Sequence, residues 1–200
     1  MKKSLMLAVV LCITIVSTAQ TQKDWYLIGS DLSNIGVDFQ KGNTKFSFAV
    51  TPKVAWFVKK DLAVGAMVDL GFDTRKGYTE FRYLVGPFGR YYFSNKEIAK
   101  VSDDVAASKL ARKTRFFGEV NLGISGANAT GGVNTNGFGF GFGPGIAYFV
   151  NQNIGLEGLV KFNETIGFGS TATRSSLNFN LGLQIYLPKA KLKSIRNDVK

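Results

Sequence analysis

Seven charged side chains, Lys53, Asp69, Arg82, Arg90, Glu119, Glu157 and Lys161, recur inside segments that are otherwise apolar or glycine-rich. Charge in such surroundings serves either chemistry or structure. Two carboxylates such as Glu119 and Glu157 could act as the acid and nucleophile of a glycosidase. Each stands among lysines and arginines, however, and a charge-paired interior filler accounts better for that company. The chain has no histidine, which removes Ser-His hydrolases, His-dependent acyltransferases and imidazole-ligated metals. The glycine alternation from Gly137 to Gly145 has strict period two, lacks G-x-G-x-x-G and opens no helix, so it is no phosphate loop. No catalytic residue, cofactor or metal is expected. The seven residues are expected instead to form an interior charge network.

The elements that would position them begin after a leader. Lys2 and Lys3 precede an apolar run, Leu5 to Val16, and Ser17-Thr18-Ala19 offers small residues for a signal peptidase. Cleavage near Ala19 is expected. The run is about 12 residues, against the roughly 20 that a membrane helix needs. Cys12 lies inside the run rather than at its end, so lipoprotein processing does not fit, and the mature chain would hold no cysteine to bridge. Residues 20–188 then form one domain, and 189–200 a basic tail. The net charge is +11, but its lysines and arginines are scattered through alternating segments without an aromatic-basic motif, so nucleic acid is not an expected partner.

Eight segments of period two follow, near 24–34, 44–58, 62–73, 79–93, 114–126, 137–150, 154–165 and 175–187. Most are longer than ordinary soluble strands and long enough to cross a bilayer at a tilt. In the sixth, Phe138, Phe140, Phe142 and Pro144 share one face and glycines the other. Bare glycine is a poor water-facing surface, so the bulky face meets lipid and the glycine face a crowded interior. Elsewhere Lys45, Lys53, Asp69, Asp73, Glu80, Arg82, Arg90, Arg115, Glu119, Glu157 and Lys161 fall on the same face. Turning the strands over would put basic groups in lipid at roughly 2–4 kcal/mol each near the midplane, which decides the register. The first segment alternates poorly, Asp31 interrupting either face, and a bulge or frayed edge is expected there. The fold expected is all-β: an eight-stranded antiparallel up-and-down transmembrane β-barrel.

An internal repeat orients it. Thr51-Pro52-Lys53-Val54-Ala55-Trp56-Phe57-Val58 recurs as Gly143-Pro144-Gly145-Ile146-Ala147-Tyr148-Phe149-Val150, with a partial copy Gly86-Pro87-Phe88-Gly89-Arg90-Tyr91-Tyr92-Phe93. These are alternate strands running one way, and Trp56, Tyr91 and Tyr148 would form an aromatic rim at one membrane interface. Two short turns follow, at Lys59-Lys60-Asp61 and Asn151-Gln152-Asn153, which marks that interface as periplasmic. The prolines are expected to sit in a shared bulge, because a closed barrel has no edge to hide a missing donor. The connection from Ser94 to Lys113 would be periplasmic, either a short helix capped by Ser102 or a solvated loop. The opposite loops, near 35–43, 73–78, 127–136 and 166–174, are modest and small for a receptor surface.

These Pro-x-x-Ala-[Trp/Tyr]-Phe-Val segments, the Gly-Pro-Phe-Gly-Arg-Tyr-Tyr-Phe segment and the strand spacing resemble the small outer-membrane β-barrel domain proteins common in Bacteroidota-type bacteria. More distantly they resemble the OmpA and OmpX membrane domains. The resemblance implies location in the outer membrane, with both termini periplasmic, and a fold; it names no substrate. The last strand, with Asn180, Gly182, Ile185 and Leu187 in polar-x-Gly-x-x-apolar-x-apolar order, is similar to the signal read by barrel-assembly machinery, though it ends in leucine and a tail follows. Expected partners are therefore outer-membrane lipid and that machinery. Three roles stay open: a barrel filled by its own side chains, structural or surface-interacting; a narrow pore or carrier for small apolar molecules, if the glycine face Gly139 to Gly145 leaves a cavity; and a soluble lipocalin-like barrel, which the uncharged aromatic outer face disfavours.

Overall fold

The computed structural model describes residues 21–40, 43–93, 113–131, 134–168 and 173–189. The leader, the Ser94–Lys113 connection up to Arg112 and the tail beyond Lys189 lie outside the described residues. Eight strands follow in order: β1 (Trp25–Gln40), β2 (Asn43–Lys59), β3 (Leu62–Arg75), β4 (Tyr78–Tyr92), β5 (Thr114–Ala129), β6 (Thr135–Phe149), β7 (Ile154–Gly167) and β8 (Thr173–Pro188). Each pairs antiparallel with its neighbour, and β8 returns to β1, closing an all-β up-and-down barrel. Closure removes the edge strand that an open sheet would have to protect. β1 begins and β8 ends at the same rim, where the Lys189 amide donates to the carbonyl of Asp24 at 3.2 Å. That rim is called the terminal end below, and the opposite one the mouth.

The alternation sorts the side chains as their chemistry requires. Leu177, Phe179, Leu181, Leu183 and Ile185 of β8 are all exposed outward, while Asn180, Gln184 and Tyr186 between them are buried. Along β8 the outward apolar row from Leu177 to Leu187 covers about 33 Å of strand, or roughly 24 Å across a bilayer at the usual tilt near 45°. Trp56, Tyr91 and Tyr148 are exposed near the terminal end, as the repeat requires. A second band lies toward the mouth: Phe46, Phe48, Phe72, Phe81 and Tyr83 form a run of ring contacts across β2, β3 and β4, with centroids 4.9–6.3 Å apart. Glu164 departs from the pattern, on the outward face of β7 with the hydroxyl of Ser175 donating to it at 2.6 Å.

Two expectations are corrected and one is met. First, the prolines make no bulge. Pro52, Pro87 and Pro144 pair with Ser30, Ala66 and Gly118 of the preceding strand, the ladder to the following strand skips them, and register resumes unchanged: Val50↔Leu70 then Lys53↔Met67, Val85↔Ile124 then Phe88↔Asn121, Phe142↔Phe162 then Gly145↔Leu159. A missing donor costs a rung and not a residue. Second, the bulge expected in β1 is present: register shifts at Ser33/Gly36, where Asn34 takes φ 53, and a further shift lies at Phe57/Lys59 in β2, beside a turn whose Asp61 has φ 65. Asparagine and aspartate tolerate this left-handed conformation better than branched residues. Third, the mouth loops are shorter than expected. β1 runs on to Gln40 with β2 restarting at Asn43, and Lys76–Gly77 alone joins β3 to β4, Gly77 at φ 75 supplying the turn. Short turns therefore occur at both rims, so a short turn does not by itself mark the periplasmic one.

Candidate functional site

The lumen is built in tiers, each set by which inward positions the strands supply at one depth. At the terminal end Phe57, Tyr92, Phe117, Phe149 and Tyr186 are buried together, with centroid distances from 5.0 to 6.4 Å. Beneath these rings Arg115 donates to Asp61 at 2.7 Å, and Asp61 also accepts from the buried Thr21. The barrel is thus capped at this rim by its own chain.

Above the rings lies an ionic cluster. Glu119, only 1% exposed, meets three cations: Arg90 Nη2 at 2.6 Å, Lys53 Nζ at 3.1 Å and Lys161 Nζ at 3.1 Å. Arg90 forks to a second carboxylate, Nη1 reaching Glu157 Oε2 at 2.7 Å, and its guanidinium lies 4.1 Å over the ring of Phe117. Glu157 also accepts from Tyr186, at 2.6 Å, and the Tyr186 and Tyr92 hydroxyls are 2.8 Å apart. Lys53 completes the set by donating to Asp31 at 2.6 Å, whose other oxygen accepts from Gln184 at 2.7 Å. Three cations (Lys53, Arg90, Lys161) thus face three anions (Asp31, Glu119, Glu157). Mutual neutralisation with hydrogen bonds is what lets such groups stay buried.

Of the seven residues expected in one network, Lys53, Arg90, Glu119, Glu157 and Lys161 meet here, and Asp69 and Arg82 do not. Arg82 is nearer the mouth, bonded to Asp73 at 2.6 Å. Asp69 accepts from Thr51 at 3.0 Å. The member missed in the sequence is Asp31, whose phase is hidden by the bulge that follows it. Before that bulge Leu27, Asp31 and Ser33 all face inward and are buried.

The glycine face of β6 holds no cavity, contrary to the expectation for a carrier. A Cβ at Gly145 would collide with the ring of Phe117, one at Gly139 with Leu84, and one at Gly141 with Asn121 and Asn163. Those glycines make room for neighbours' side chains. The space lies higher, in a polar cup of about 750 Å³ toward the mouth. Ala49, Asp69, Leu84, Asn163 and Asn178 line its deep part, and Lys45, Asp73, Glu80, Arg82 and Arg174 its rim. The rim charges pair among themselves: Arg174 with Glu80 at 2.6 Å, Arg82 with Asp73 at 2.6 Å, and Lys45 with Asp73 at 3.8 Å. Among the described residues no cluster of three or more metal-ligating side chains occurs.

The expected assembly-signal residues occupy one strand on two faces. Ile185 is exposed outward, opposite Ile28 and Ile154 on its two neighbours, while Asn180 is buried. Gly182 lies opposite Asp31, and Leu187 pairs with Tyr26 at the seam.

No protein-family model and no curated protein matches the chain. Solved structures do. Neisserial surface protein A aligns at TM-score 0.54 and 12% identity, over 82% of this chain and 97% of that one. The outer membrane protein OprG from Pseudomonas aeruginosa aligns at TM-score 0.50 and 9% identity, over 86% of this chain and all of that one. The fold is that of the small eight-stranded outer-membrane barrels.

Proposed function

We propose that this protein is an integral outer-membrane β-barrel that does not conduct: the ionic cluster and the aromatic tier seal its terminal half, and its role is structural or surface-interacting. The observation that carries the reading is the position of Glu119, buried in mid-lumen and bonded to cations from β2, β4 and β7. A solute path would have to break all three contacts. The apolar outward band supports residence in a bilayer, where a closed barrel satisfies its backbone internally. Our reading of orientation rests on what must cross: the connections at the mouth are short, whereas the highly charged sequence between β4 and β5 starts and ends at the rim where β1 begins and β8 ends. The tips cross more cheaply, so the mouth faces outward and the termini stay in the periplasm. Barrel-assembly machinery reading β8 would complete the path, after leader cleavage near Ala19.

The carrier reading loses its cavity with the filling of the β6 face. The lipocalin-like reading would leave 28 large apolar side chains of the described residues exposed to water. The test is membrane fractionation with planar-bilayer recording. Recovery in the outer membrane and no conductance steps from the purified protein are expected. Reproducible ohmic steps would overturn the sealed lumen, and recovery as a soluble periplasmic protein would overturn membrane residence.

A further inference from the structure

The cup lies on the open side of the seal and is not used by the reading above. Its charges are unevenly spent. Of six charged side chains lining it, Lys45, Asp73, Glu80, Arg82 and Arg174 are tied to one another by ion pairs. Asp69 has no cation within 4.0 Å among the described residues, and its one hydrogen-bond donor is Thr51 at 3.0 Å. The cations nearest to hand are committed: Lys53 to Asp31 and Glu119, Lys161 to Glu119, and Arg82 to Asp73. Asp69 therefore presents a carboxylate at the deep end of a water-accessible cavity with acceptor capacity unspent.

Its surroundings narrow what would fit. Asn163 and Asn178 line the same depth, and Asn163 shares the space over Gly141 with Asn121, a buried amide with no partner among the described residues. Ala49 and Leu84 add an apolar wall. A divalent cation takes six or more oxygen ligands and is favoured by several carboxylates, whereas among the described residues no cluster of three or more metal-ligating side chains gathers at the floor, where Asp69 is the one carboxylate. An anion would be repelled by Asp69, and a neutral sugar would leave it without a direct ionic partner. A primary ammonium fits: it supplies a charge and three donors to one carboxylate and nearby amide oxygens, and its carbon stem can lie on Leu84. At the rim three cations stand over two carboxylates, which suits a polar or acidic far end. From Asp69 to Asp73 along β3 is about 13 Å of strand, or roughly 10 Å of depth after tilt.

We propose that the cup is a binding site for a small polar molecule bearing a primary ammonium group, received by Asp69 at its floor. Capture by the cup does not depend on membrane orientation, so detergent-solubilised full-length protein tests it separately from the fractionation and conductance experiments. The probe is Nα-dansyl-lysine, whose free ε-ammonium and carboxylate sit at opposite ends, titrated with fluorescence read as the part displaced by 6-aminohexanoate. Saturable binding is expected, weakened at least tenfold by Nε-acetylation of the probe and at least tenfold by Asp69→Asn, with calcium failing to displace it. The acetylated probe needs no protein variant, so the comparison stands even if Asp69→Asn folds poorly. Equal binding of the two probes, unchanged binding by a folded Asp69→Asn variant, displacement by calcium, or no saturable binding up to millimolar probe would each overturn the assignment.

Discussion

Glu119 sets the stability of the interior because its two oxygens serve three cations at once. Glu119→Gln keeps the shape and removes the charge, leaving Lys53, Arg90 and Lys161 with a surplus that burial does not tolerate. A loss of about 3–5 kcal/mol is expected, the range for breaking a buried pair from one side, read as a lower urea midpoint for the barrel folded in detergent. Asp69→Asn removes a carboxylate with no cation within ion-pair distance, and should move that midpoint far less. Equal shifts would mean that water reaches the cluster and screens it. These roles were partly legible. Inward-facing charge of both signs announces pairing, and period two places Lys53, Arg90, Glu119 and Glu157 on one face. It gives no depth, which comes from the stagger between strands, and so it could not separate the deep set from Arg82 and Asp69. Asp31 escaped because one inserted position after Ser33 shifts the phase of the rest of β1.

At the level of the strand, glycine spacing tells where neighbours intrude. Phe117 lies over Gly145 so closely that Gly145→Val must displace a buried ring, and a loss of about 1–3 kcal/mol is expected from overpacking, again by urea midpoint. An unchanged midpoint would mean the ring has somewhere else to go. The alternation was legible because lipid and interior demand opposite residues. A bulge at proline would shift the phase, as the inserted position after Ser33 does, whereas the alternation runs unbroken through Pro52, Pro87 and Pro144, and register with both neighbours shows that each proline costs only a rung. In β8 the outward Ile185 separates assembly from stability. Ile185→Asp places a carboxylate near the interface, at a cost of the order of 1 kcal/mol, which the finished barrel tolerates. If β8 is what the assembly machinery reads, unfolded precursor should nonetheless accumulate in the periplasm, while truncation after Pro188 leaves insertion nearly normal. Normal assembly of Ile185→Asp together with failure of the truncated chain would place the signal in the tail.

The whole barrel is held by eight ladders, and they are unequal. β7 and β8 pair from Ile154↔Ile185 to Ile166↔Thr173, whereas the seam between β1 and β8 runs from Trp25↔Pro188 and ends at Ser33↔Asn180, where the bulge begins. A closed sheet offers detergent no edge, so the folded protein should run in SDS without heating at a mobility different from that of the boiled chain. Its opening on heating should start where rungs are fewest. Cysteines at Leu32 and Leu181, opposite each other across the seam and both outward, would tie it; the native Cys12 lies in the expected leader, so no other thiol competes in the mature chain. Oxidation should stabilise by about 2–4 kcal/mol and raise the temperature at which the mobility changes. The same bridge at Val64 and Gly89, opposite positions within the longer β3–β4 ladder, should raise it less, because that ladder is still intact when the seam parts. Equal gains would show that all eight ladders fail together, and absence of any mobility shift in the parent protein would remove closure, and with it the bilayer, from the account.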